Sequence, residues 1–347
     1  MDLCWHHGQV SRAQVLERAR RIADDVLFPA AMAVDGAARV PESHLDLLAH
    51  EGFYGIAGPS SVADPSVGGM DIGRQAADAV IEILAGGCLA TTFVWLQHHR
   101  AVRAVRDSPE PMLREQWLRP LCSGSRRAGV ALGGALPGPP LLRAVRVSGG
   151  YLLDGMSPWV TGWGMIDTLY TAARDEDGNV MNALLDAVAG PTLAAEPLQL
   201  VAVTASSTVQ LRFNGHFVPA ASVTGSSPHL EWLARDAMGL RANGSLALGV
   251  AARCCQLMGQ SPLDSELRAR REALDAAPPG AMPAARAAAS ELAIRAAAAL
   301  VTVRGSRAIL SAEHPQRLAR EALFLLVFAS RPAIKDNLAG LLTAARS

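Results

Sequence analysis

Two short stretches carry the side chains best suited to chemistry. The first is Gly155-Met156-Ser157-Pro158-Trp159-Val160-Thr161-Gly162-Trp163-Gly164, where a tryptophan is followed two residues later by a threonine at the glycine-punctuated end of a strand pattern. Such a pair suits a flat aromatic ligand. The indole covers one ring face, while a freed backbone N–H and the Thr161 hydroxyl donate to ring carbonyl and nitrogen atoms. The plain alternative is that Trp159 and Trp163 pack inside a barrel. The second stretch is the tandem His98-His99, polar positions in an otherwise apolar helical segment. Histidine ordinarily titrates near neutrality, which makes it a natural proton acceptor. The alternative is one histidine bonded within the helical bundle and the other facing water.

Apolar spacing predicts the elements that must position these groups. Helical patterns cover residues 11–31, ending before or soon after Pro29, then 42–50, 74–90, 91–102 and 112–121. Strand-like alternation follows at 144–147, 151–154 and 167–173, with a hairpin turn at 174–179 and further strands at 184–188 and 209–213. From residue 230 onward the pattern is helical again, interrupted by Pro278-Pro279-Gly280, with long helices expected at 284–303 and 315–328. Small residues in 246–255 suit close helix approach, Glu266 and Arg270 have i,i+4 spacing, and Glu321 is expected to pair with Arg317 or Arg320. The expected class is α+β: an N-terminal helical domain over 1–125, a central β domain over 126–227 and a C-terminal helical bundle over 228–347.

Composition narrows the functions. The 347 residues carry 32 basic and 32 acidic side chains, so the overall field offers no reason for a nucleic-acid or anionic-membrane partner. Five scattered cysteines without a C-x-x-C pair read as reduced packing residues, with no metal site implied. No apolar run reaches the roughly 18 residues of a membrane span, and no secretory leader is apparent, so a soluble cytoplasmic protein is expected.

The pattern Gly155-x-x-x-Trp159-x-Thr161, followed by Phe213 to Pro219 of a closing strand and by Gly225, resembles the acyl-CoA dehydrogenase superfamily of flavoproteins. The resemblance extends in dilute form over most of the chain. It includes the Gly55-Ile56 to Gly68-Gly69 connection and the small-residue run from Leu246. It implies FAD, or FMN in a monooxygenase branch, held by Trp159, Thr161, the backbone of Leu132, Gly133 and Gly134, and Gly305 near the adenine half. It also implies an acyl thioester or other small-molecule substrate beside the helix of His98 and His99. An electron-transfer protein or flavin reductase is the implied partner, and a homodimer or homotetramer the implied assembly.

Departures from the family pattern are equally informative. The stretch Ala128 to Pro137 stands where relatives carry a Thr-Glu-Pro turn, and Gly138-Pro139-Pro140 replaces a loop that commonly helps hold flavin phosphates. Ala329 and Gly239 stand at the two places where relatives carry the carboxylate that removes the substrate's α-proton. His98, His99, Asp236 and Glu321 are the substitutes to consider, the histidines foremost. Three functions therefore remain open: α,β-dehydrogenation of an acyl thioester, a flavin monooxygenase of the same fold, or a non-catalytic subunit whose partner supplies the base.

Overall fold

The computed structural model describes residues 11–59, 70 and 72–344. Its first helix, α1 (Arg12–Arg21), begins at a reciprocal cap: the Ser11 hydroxyl accepts from Gln14 N–H (3.2 Å) and the Gln14 amide oxygen accepts from Ser11 N–H (2.8 Å). The chain continues through a wide π turn, Ile22–Leu27, into α2 (Phe28–Asp35). The expected stop near Pro29 is thus corrected, since the helix runs six residues beyond it. Pro29 falls in the first turn after the π segment, where its missing N–H removes little from the helical ladder.

Four more helices complete the first block: α3 (Glu42–His50), α4 (Gly73–Gly87), α5 (Leu89–Arg106) and α6 (Pro111–Ser123). Extended backbone at Cys88 separates α4 from α5.

Eight strands follow: β1 (Ala128–Ala131), β2 (Leu142–Val147), β3 (Gly150–Val160), β4 (Thr168–Arg174), β5 (Asn179–Asp186), β6 (Leu193–Pro197), β7 (Val209–Pro219) and β8 (Val223–Pro228). They form one sheet in the order β6-β7-β3-β2-β4-β5-β8, with β1 beside β4. β1–β4 and β2–β4 pair in parallel, the other neighbours antiparallel. The predicted hairpin joins β4 to β5, where the Asp175 carboxylate accepts from Asp177 N–H (3.1 Å) and Asn179 N–H (2.7 Å) and Gly178 takes φ 80°. Alternation alone misses β6 and β8. Both close the ends of the strand order, and their short sequences, with one large apolar residue each, lack the apolar period of a central strand.

The chain returns to helix in α7 (His229–Met238), α8 (Leu240–Met258), α9 (Leu263–Ala276), α10 (Met282–Arg304), α11 (His314–Val327) and α12 (Pro332–Thr343). Apolar faces of α1, α4 and α5 share one core with α8, α10, α11 and α12. The tightest crossing is between α4 and α8: a methyl group on Gly249 would lie 2.2 Å from the Glu82 carbonyl oxygen and 2.8 Å from Ala85 Cβ. The sheet keeps its own core around Leu142, Leu153, Leu169 and Leu211. A third cluster joins the two, setting Val102, Val105 and Leu121 against Val130, Tyr170 and Leu184. The expected pairs form: Arg270 Nη2 to Glu266 Oε1 at 3.0 Å, and a buried Arg317–Glu321 pair. The four described cysteines are buried and free, and Cys4 lies outside the described residues.

Candidate active site

Strand β3 pairs with β7 through two irregularities, the second between Ser157 and Val160. That bulge contains Pro158 and Trp159. Trp159 takes φ 60°, which is costly for a side chain of its size, and its ring is turned outward, 63% exposed. Val160 returns to the sheet core and is fully buried. The indole therefore stands on the surface as an open apolar face instead of filling the barrel.

The donors expected beside it are otherwise engaged. Gly133 N–H donates to the Ser157 hydroxyl (3.1 Å) and Gly134 N–H to the Ala172 carbonyl (2.9 Å). The Leu132 carbonyl accepts from Ala135 N–H (3.0 Å), closing a turn. A Cβ on Gly133 would lie 2.1 Å from Met156 O, and one on Gly134 2.4 Å from Ala173 Cα. These glycines pack the turn onto the sheet, so the expectation that they approach a ring edge is corrected. Thr161 is likewise buried, 3.4 Å from the Thr208 hydroxyl, which itself lies 2.8 Å from that of Ser206. Its hydroxyl points into the sheet, not toward the face of Trp159. Gly305 closes α10 at φ 64° on the exposed surface, with no neighbour within 4 Å of an added Cβ. Trp159 thus offers one open ring face, while the N–H groups of Gly133 and Gly134 are bonded within the fold.

The two histidines part company. His98 is held at both ring nitrogens: Nδ1 accepts from Ala128 N–H (3.1 Å), which leaves Nε2 to donate to the Leu121 carbonyl (3.0 Å). The ring ties α5 to the end of α6 and the start of β1. Burial pushes its pKa down to about 3. With its lone pair already accepting, His98 serves as a structural tie, which corrects its candidacy as a base. His99 is equally buried, stands edge-on to Trp95 at 4.5 Å between ring centroids, and has neither nitrogen hydrogen-bonded among the described residues. Burial, then the charges at His98 and Arg103, holds its pKa well below the usual value.

His99 faces a cavity of about 760 Å³ bounded by α4, α5, the start of α8 and the sheet residues Tyr170, Asn182 and Thr224. Cavities of roughly 300–1,000 Å³ typically hold small molecules. One wall is a polar network, with the Tyr170 hydroxyl and Trp232 indole N–H both donating to Asn182 Oδ1 (2.7 and 3.1 Å). The other is charged. Asp236 at the end of α7 accepts from Arg100 (2.6 Å, Oδ1) and Arg331 (2.6 Å, Oδ2). Burial would raise its pKa, but the two guanidiniums outweigh that and hold it below the ordinary value. Asp236 is thus an anchored counter-ion and a poor proton acceptor at neutral pH.

Arg331 follows Ala329 and Ser330, and Ala329 itself takes φ 49°. Glu321 lies apart from the cavity in its pair with Arg317. Sequence reasoning missed Arg103, Arg235 and Arg331. The signal for the first was its spacing, since Arg103 and Arg106 lie four and seven residues after His99 and so fall on the same helix face. Among the described residues, no group of three or more His, Cys, Asp or Glu could hold a metal ion, and no helix is long and apolar enough to cross a membrane.

With this geometry in place, three kinds of comparison agree. Residues 11–125 match the family model "Acyl-CoA dehydrogenase, N-terminal domain". Benzylmalonyl-CoA dehydrogenase of Aromatoleum aromaticum is 27% identical over 206 residues, covering 57% of this chain and 53% of that protein. The chain spans about half the length of the curated relatives it matches. Butyryl-CoA dehydrogenase from Megasphaera elsdenii superposes with TM-score 0.80 at 17% identity, over 99% of this chain and 100% of that one. A glutaryl-CoA dehydrogenase from Mycobacterium smegmatis in complex with FADH2 does so with TM-score 0.79 at 15% identity, over 97% and 95%. The fold is that of an acyl-CoA dehydrogenase. Together the three indicate the acyl-CoA dehydrogenase superfamily.

Proposed function

We propose that the chain is a flavin-dependent oxidoreductase of acyl thioesters, with FAD the first cofactor to test and FMN the second. The cavity of about 760 Å³ between α4, α5, α8 and the sheet carries this reading, because it offers a half-open, partly apolar berth for an acyl group. Trp159 supports the cofactor assignment, since an exposed indole held at a bulge can cover a planar ring system. A bound flavin supplies a hydride acceptor. A separate electron-transfer protein or flavin reductase would exchange electrons with it. Exposed Val303, Leu323, Val327 and Leu342 on α10–α12 support self-association of the chain.

For α,β-dehydrogenation the chain must also remove an α-proton, and the usual carboxylate is replaced by Ala329 and Gly239. His99 is the histidine at the cavity, free of ion pairs among the described residues, and it stays neutral with a lone pair available. Its conjugate acid would sit near Arg103, which makes it a weak base. That weakness favours a second reading: a subunit that binds the thioester and leaves proton abstraction to another chain. The locking of Asp236 between Arg100 and Arg331 points the same way.

Anaerobic mixing of flavin-loaded protein with acyl-CoA thioesters tests the proposal. Bleaching of the oxidised flavin band supports dehydrogenation. Bleaching that appears only with a reductase and a nicotinamide donor, followed by oxygen-dependent product, overturns it in favour of a monooxygenase.

A further inference from the structure

The charges lining the cavity do not cancel. Five arginines (Arg74, Arg100, Arg103, Arg106 and Arg235) face it against three aspartates (Asp78, Asp107 and Asp236). Arg100 is paired with Asp236 and Arg106 with Asp107 (2.7 Å). Arg235 donates to the Ser227 hydroxyl and meets no carboxylate among the described residues. Arg103 has no hydrogen bond or ion pair among the described residues. It stands one turn beyond His99 on α5, so the two side chains fall on one helix face, and both line the cavity. His99 is 1% exposed with both nitrogens unbonded among the described residues.

A guanidinium with no ion pair of its own, whose nearest carboxylates Asp78 and Asp107 are each paired with another arginine, stands beside a buried imidazole without a partner, and the two together offer a place for an anion. Neutral imidazole donates one hydrogen bond, and the guanidinium offers several N–H groups in a planar fork that matches a carboxylate.

We infer that the cavity selects acyl groups carrying a second, ionised carboxylate, which Arg103 pairs and His99 bonds. The inference rests on the reading that the cavity holds the acyl part of a thioester. It would explain why the lining is charged where a simple fatty acyl chain would call for apolar walls. The carboxylate would also complete the hydrogen bonding that His99 lacks.

The test is calorimetric titration of the full chain with pantetheine thioesters of succinate and of butyrate, which share the thioester arm and differ in the terminal group. Wild type is expected to bind the succinyl compound about 10- to 100-fold more tightly. Arg103→Leu should lose that preference while binding the butyryl compound as well as wild type does, and Arg103→Lys should keep part of it. Equal binding of both thioesters by wild type, or a preference that survives Arg103→Leu, overturns the inference and leaves the acyl-thioester reading standing. Binding of neither thioester overturns both.

Discussion

Lowering the pH from about 7 to about 5 should destabilise this protein well before its ion pairs begin to protonate. His98 has a pKa of about 3 in the folded chain against 6.5 when unconstrained, and His99 is also held well below 6.5. A depressed folded value means that the unfolded chain takes up the proton first. Stability is full above about pH 6.5 and falls as the pH drops toward the folded values. At about pH 5 the His98 imidazole costs about 2 kcal/mol of folding free energy, and His99 adds a loss of the same sign. Asp78 and Glu321, whose carboxyls burial raises, act in the opposite sense. The decisive comparison is therefore between wild type and His99→Phe, in which those groups cancel. Phenylalanine keeps the edge contact with Trp95 and removes one titration. Urea unfolding at a series of pH values should show the variant losing less stability than wild type between pH 7 and 5. Identical pH dependence of the two proteins would refute the claim that His99 is buried and neutral.

Other substitutions probe the frame and the cavity. Gly249→Leu should destabilise by about 3 kcal/mol or more, because its side chain would force α8 away from the Glu82 carbonyl. The shift in the urea midpoint measures this, and an unchanged midpoint would contradict the crossing. Asp236→Asn leaves Arg100 and Arg331 without a carboxylate. About 2–4 kcal/mol should be lost, at the lower end because both arginines keep some solvent contact. In wild type the contribution of Asp236 should persist above its unconstrained value of 3.8 and be lost as the pH falls through its lower folded value. Ala329→Glu restores a carboxylate at a position already held at φ 49°, so it adds no new backbone strain. Stopped-flow flavin reduction by an acyl thioester should accelerate at least about tenfold. No acceleration would mean that a missing base is not what limits the chain.

Much of the architecture was legible because apolar period distinguishes helix from strand. Residues 144–147 and 167–173 alternate and lie in β2 and β4, while the stretch 284–303 lies within α10. Pro29 misled because a π turn upstream, invisible in composition, carried the helix past it. Edge strands β6 and β8 escaped because little of their surface is buried on an apolar face. At the site, Trp159 was legible as an exposed ring because glycine and proline around it signal an irregular strand. Spacing could not say that Gly133, Gly134 and Thr161 would spend their donors within the sheet, because that depends on Ser157, Ala172 and Thr208 across the fold. Nor could it separate His98 from His99. Adjacent helical residues point about 100° apart, which sends one ring to Leu121 and Ala128 and the other to the cavity.

The claim on which the functional account depends is that the bulge of β3 presents Trp159 as the seat of a flavin ring. Equilibrium dialysis of the full chain against FAD, for wild type and Trp159→Ala, tests it directly. The account predicts that wild type binds about one FAD per chain and that the variant binds about 5- to 150-fold more weakly, since a stacked aromatic face contributes about 1–3 kcal/mol. A variant that binds FAD as tightly as wild type, or a wild type that binds neither FAD nor FMN, would contradict it.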